Sequence, residues 1–123
     1  MADVLLVEDT PSDASLAVIA IALRHPRTRV YEVRDVKAAL HLIAAGHKPR
    51  LVVLGWRALK EVPAKLGRAE CPFVGFASDL TEADRRRALE AGVKAIYERP
   101  QEWRRFCDAL EALLDEWLAP RAA

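Results

Sequence analysis

The chain has 123 residues, 52% of them apolar and 30% charged, with 19 Lys and Arg against 18 Asp and Glu for a formal charge of +1. That is the profile of one soluble globular domain, residues 1–123, with a real core; it excludes a disordered chain and bulk attraction to nucleic acid or anionic membrane. There is no basic N-terminal region leading into a long apolar run and no bilayer-spanning stretch, and Cys71 and Cys107 lack metal-ligand or redox spacing. A reducing, cytoplasmic setting is expected, with both cysteines as small apolar side chains.

Val4-Leu5-Leu6-Val7 reads as a buried strand that ends in the acids Glu8-Asp9. Thr10-Pro11-Ser12-Asp13 then opens a helix, with Thr10 as cap, Pro11 at the first helical position and Asp13 where a capping box places its acid. Leu16, Ile19, Ala20 and Leu23 follow at helical spacing, and His25-Pro26 stops the run. Val30-Tyr31-Glu32-Val33 alternates like a strand with one wetter face. Asp35 is placed to cap the next helix, whose inner face is Ala39, Leu40 and Ile43 and whose end is Gly46.

Leu51-Val52-Val53-Leu54, entered from Pro49-Arg50 and closed by Gly55-Trp56, looks like a strand buried on both faces in the middle of a parallel sheet. From Arg57 to Glu70 the pattern is the least regular in the chain. Leu59, Val62 and Leu66 form a weak helical stripe interrupted by Pro63, so a short helix is expected. Phe73-Val74-Gly75-Phe76-Ala77 is a fourth strand, Thr81-Glu82-Ala83-Asp84 caps a helix that runs to Gly92, and Ala95-Ile96-Tyr97-Glu98 is a fifth strand closed by Arg99-Pro100. The last helix carries one apolar stripe, Trp103, Phe106, Leu110, Leu113, Leu114 and Trp117, and Pro120 ends it. Glu111, Asp115 and Glu116 read as its wet face. Five alternations of strand and helix imply an α/β, doubly wound parallel sheet with right-handed crossovers.

The acids Glu8-Asp9, the Thr10-Pro11-Ser12-Asp13 that follows them and the closing Arg99-Pro100 resemble the receiver domain of bacterial two-component response regulators, over nearly the whole chain from Val4 to about Leu118. The resemblance implies a flavodoxin-like, three-layer α/β/α fold with strand order 2-1-3-4-5. Receiver chemistry uses a carboxylate nucleophile after the third strand, an acidic pair after the first that helps hold Mg²⁺, a hydroxyl after the fourth and a lysine after the fifth. Here the acidic pair is Glu8 and Asp9, but the nucleophile's position is Gly55, the hydroxyl's is Ala77 with Ser78 beside it, and the lysine's is Arg99. Pro100 is the candidate for the cis proline that receivers usually carry there. The resemblance thus implies a pseudo-receiver with a degenerate phosphorylation site and only a residual weak metal site at Glu8 and Asp9.

Two carboxylates without a metal repel each other, so Arg99 is expected to bridge to Glu8 or Asp9 in place of the cation. The aromatic that receivers turn inward from the fifth strand is here Ile96, expected to pack under the last helix, with Tyr97 on the opposite face. Trp56 is read either as a cover over a pocket vacated at Gly55 or as loop packing. Arg85-Arg86-Arg87 fan around their helix and read as solvated surface; His25, His41 and His47 show no ligand spacing. No Gly-rich loop follows the first strand, which argues against flavin or dinucleotide, and no cofactor is expected.

The leading functional reading is a non-enzymatic module of a two-component-type system that acts by binding a protein: a histidine kinase, another receiver or an output protein, with a homodimer as a further option. By resemblance its interaction surface includes Arg86, Glu90, Ile96, Tyr97, Glu102 and Arg105. The alternatives are a phosphorylatable receiver with a non-standard acceptor such as Asp9, and a small-ligand site in the space left at Gly55.

Overall fold

The structure is a computed structural model that describes residues 2–66 and 71–119. Its elements alternate without exception: β1 (Val4–Val7), α1 (Pro11–Arg24), β2 (Val30–Val33), α2 (Val36–Ala44), β3 (Leu51–Leu54), α3 (Trp56–Lys60), β4 (Phe73–Ala77), α4 (Glu82–Ala91), β5 (Ala95–Glu98) and α5 (Trp103–Leu118). All five strands are parallel, in the order β2-β1-β3-β4-β5. The three inner strands are buried on both faces, as their unbroken apolar runs require, whereas the edge strands β2 and β5 are partly exposed.

Residue parity divides the core in two. Val4, Leu6, Leu51, Val53, Val74 and Phe76 face α1 and α5, while Leu5, Val7, Val52, Leu54 and Phe73 face α2, α3 and α4. Every residue of this core is apolar. Gly75 sits on the second face in mid-strand, where an added Cβ would lie 2.8 Å from both methyls of Leu59. The missing side chain is what lets α3 close down on the sheet.

Several helix ends follow the expected chemistry. Asp35 accepts a hydrogen bond from the Ala38 N–H at 2.7 Å, the Thr81 hydroxyl accepts one from the Asp84 N–H at 3.1 Å, and Gly92 ends α4 with φ of 120°, a conformation that favours glycine. α1 departs from expectation. The Thr10 side chain makes no capping bond, and the other half of the expected capping box is missing too: the Asp13 carboxylate accepts from Arg99 and the Thr10 N–H donates to Glu8. The helix also buries a different face: Ala14, Ala17, Ala20 and Ile21 touch the sheet, and Leu16, Ile19 and Leu23 are exposed. Small side chains allow the close approach, so the larger residues are left outside.

Two further expectations are corrected in the last helix and strand. Trp103 is exposed at the start of α5, stacked on Phe106 rather than buried in the stripe. Ile96 does not lie under α5; it packs on the α3 and α4 face near Gly75, and Tyr97 takes the α5 side. There the Tyr97 hydroxyl donates to Glu116 and accepts from the Trp117 indole N–H, both at 2.7 Å. Pro120, the expected helix stop, lies outside the described residues, as does the end of the segment that runs to Glu70. No helix among the described residues is long and apolar enough to cross a membrane.

Candidate functional site

The carboxyl ends of the strands form one edge, and parity brings Glu8, Gly55 and Arg99 to it on the α1 and α5 side. The backbone ladders carry on one step past the strands: the Glu8 N–H donates to Val33 O at 3.0 Å, the Gly55 N–H to Val7 O at 2.9 Å and the Arg99 N–H to Ala77 O at 3.1 Å. Gly55 is therefore held beside the tip of β1.

The space next to Gly55 is not vacant. A Cβ built on Gly55 would fall 2.2 Å from Oε2 of Glu8 and 3.0 Å from its Cδ. Gly55 has φ −75° and ψ −177°, an extended conformation open to any residue. The backbone thus does not demand glycine here; a side chain at 55 would instead oblige the end of the Glu8 side chain to move aside. Little room is left over. The gap bounded by Glu8, Asp13, Gly55, Phe76 and Arg99 holds about 10 Å³, no more than a single water needs. The expected small-ligand pocket at Gly55 is accordingly filled by the neighbouring carboxylate. Trp56 does not cover it either; this residue opens α3 with Lys60 4.2 Å above its ring.

The charges are settled pairwise. Asp9 accepts from Nε of Arg57 at 2.7 Å, and Asp13 accepts from Nη2 of Arg99 at 3.0 Å. Arg99 therefore pairs with neither Glu8 nor Asp9, contrary to expectation, but with the acid on the first turn of α1. Its guanidinium also lies 5.1 Å over the ring of Phe106. Among the described residues Glu8 has no cation partner; its Oε1 accepts the Thr10 N–H at 3.3 Å, and its carboxyl also lies within hydrogen-bonding reach of that of Asp9. Burial pushes the Glu8 carboxyl above the usual glutamate value, the Asp9 and Asp13 carboxylates push the same way, and the Thr10 N–H opposes them.

These residues do not suit Mg²⁺, which needs several oxygens converging in near-octahedral geometry. Asp9 and Asp13 are each turned toward an arginine, and among the described residues no three His, Cys, Asp or Glu side chains group closely enough to hold a metal ion. The Arg99–Pro100 peptide is trans, since no cis bond occurs among the described residues, which corrects the cis-proline expectation. Ala77 is buried, and Ser78 is half-buried on the wall of a separate cavity of about 260 Å³ that it shares with Leu16, Arg99, Pro100, Trp103 and Phe106.

Of the surface expected for partners, Arg86, Glu90, Glu102 and Arg105 are exposed, while Ile96 and Tyr97 are half-buried on opposite faces of β5. Glu102 caps α5 by accepting from the N–H groups of Arg105 and Arg104, which hold its carboxyl below the usual value. Sequence reasoning missed two residues. Arg57 next to Gly55 neutralises Asp9, and Arg87, read as solvated, donates to the carbonyls of Leu59, Lys60 and Val62 and so ties down the end of α3. A signal for Arg87 existed: α3 is only five residues long and ends without a glycine or a side-chain cap.

No protein-family model and no curated protein matches the sequence. Solved structures do match. The phosphorylated cyanobacterial phytochrome response regulator RcpA superposes with a TM-score of 0.77 at 20% identity, over 98% of this chain and 96% of that one. The chain has the receiver-domain fold. A response regulator from Hahella chejuensis gives 0.78 at 19% identity, over 100% and 99% of the two chains. The Mn²⁺-bound form of response regulator Rcp1 gives 0.76 at 18%, over 99% and 98%.

Proposed function

We propose that this chain is a receiver-type signalling module that takes no phosphoryl group at the end of β3 and acts by binding other proteins. The observation that carries the reading is Glu8, whose carboxylate occupies the space a side chain at position 55 would need. A receiver nucleophile is a carboxylate at that point, and glycine offers none. RcpA was solved phosphorylated and Rcp1 with Mn²⁺. In this chain one acid of the pair, Asp9, is matched to Arg57 instead, Arg99 is engaged by Asp13, and the hydroxyl and lysine positions hold Ala77 and Arg99. With both ends of the usual receiver switch replaced, at Ala77 and Ile96, the module works from one conformation and signals through its abundance and its contacts. A histidine kinase, another receiver or an output protein fits as partner.

The test is incubation of the purified chain with Mg²⁺ and acetyl phosphate, followed by intact mass. The mass is expected to stay unchanged. A gain of one phosphoryl group overturns the reading, and its loss in an Asp9→Asn variant would place the acceptor at Asp9.

A further inference from the structure

Among the described residues seven large apolar side chains are exposed, and four of them fall on one patch: Leu16 (40%), Ile19 (49%) and Leu23 (64%) along α1, and Trp103 (41%), which lines the 260 Å³ cavity together with Leu16. Tyr31, Trp56 and Leu89 belong to other elements. The patch is also free of available charge, in a chain that is 30% charged. From Pro11 to Arg24 the only ionisable residues are Asp13 and Arg24; Asp13 is paired with Arg99, and Arg24 with Asp108 at 2.7 Å and Glu111 at 2.9 Å. The other exposed residues of this helix include Ser12, Ser15 and Ala22, all small and neutral. A contiguous apolar face of this kind marks a contact, and depletion of charge is the mark of an interface centre.

The order of the stripe selects the occupant. Ile19 stands near its middle, with Leu16 three residues before and Leu23 four residues after, so the face reads almost the same in both directions along the helix. We infer that two copies of the chain meet here, with their α1 helices antiparallel across a two-fold axis near Ile19. An isologous contact sets each residue near the axis against itself, which any charge would oppose and which this face permits. Antiparallel packing brings Leu23 of one copy to Leu16 of the other. Leu23, the most exposed of the four, then enters the cavity walled by Leu16, Trp103 and Pro100. A 14-residue helix is roughly 21 Å long, so a contact confined to this helix and the rim of the cavity is small and gives a concentration-dependent dimer. The inference deepens the reading of a protein-binding module by naming one partner, and it can fail without affecting the phosphoryl test.

Sedimentation equilibrium of the native chain over a wide concentration range is expected to show a reversible monomer–dimer equilibrium. Ile19→Glu and Ile19→Lys, both on an exposed position, are each expected to weaken it by roughly a hundredfold or more. An equimolar mixture of the two variants is expected to regain dimer, because opposite charges then face each other at the axis. Circular dichroism melts of both variants are expected to match the native chain. A native protein that stays monomeric overturns the inference. So does a dimer that survives Ile19→Glu, or one lost instead through charge reversal at Arg86 and Glu90.

Discussion

Replacing Arg99 by alanine removes two interactions at once, the Asp13 ion pair at 3.0 Å and the stacking 5.1 Å over Phe106. The Arg99 and Asp13 side chains are 24% and 36% exposed, so solvent screens the pair and its contribution is about 0.5–1 kcal/mol. The cation–π contact adds about 0.5–1 kcal/mol. Asp13 is then left half-buried without a cation, near the uncompensated Glu8. The expected loss is about 2 kcal/mol, or roughly 8 °C in Tm for a domain of this length. Urea denaturation of Arg99→Ala, Asp13→Asn and the double variant measures the pair directly. A coupling of about 0.5–1 kcal/mol is expected between Arg99 and Asp13, and none between Arg99 and Asp9. An Arg99→Ala protein as stable as the native chain, or coupling to Asp9 in place of Asp13, would refute the charge assignment at this edge.

Glu8→Gln tests the filled gap by pH. The folded chain holds the Glu8 proton above the ordinary value near 4.5, so the contribution of Glu8 to native stability falls as pH rises from there through the raised value. The glutamine variant does not titrate; its advantage is expected to be absent at lower pH and to grow between the ordinary and the raised value, by at most about 1.4 kcal/mol per pH unit. Denaturation curves whose difference is flat with pH would contradict this. Gly75→Ala forces a Cβ to 2.8 Å from the methyls of the fully buried Leu59 and is expected to destabilise by about 1–3 kcal/mol, whereas a relaxed site would be stabilised. Arg87→Ala frees three carbonyls at the end of α3 and is expected to cost about 2 kcal/mol, with Arg87→Lys recovering only part, as denaturant midpoints would show.

The strands were legible because each is a short β-favouring run, most of them with Pro, Gly or an acid at or near one end, and strand bounds such as Val4–Val7 and Phe73–Ala77 match the chain as read. Asp35 and Thr81 were equally plain, since a cap acts within four residues of itself. What the sequence left open depended on distant groups. α1 carries two apolar stripes at helical spacing, and only its distance from the sheet selects Ala14, Ala17 and Ala20 over Leu16, Ile19 and Leu23. Parity placed Ile96 and Tyr97 on opposite faces but did not say which face α5 covers. The absence of a side chain at Gly55 was visible; that Glu8 fills the space was not, because a glutamate has enough rotatable bonds to point elsewhere. The partners of Arg99 and Arg87 lie 86 and at least 25 residues away in sequence, beyond any local pattern.

The close approach of Glu8 to Gly55 couples the two positions through a side chain that can turn. A mutant with an acid at 55 and the wild-type Glu8 would set two carboxylates contending for one small gap, each made harder to ionise by the other. Such a variant is accommodated as the Glu8 side chain swings aside, which would gather three acids at the edge where now only two stand close to β1.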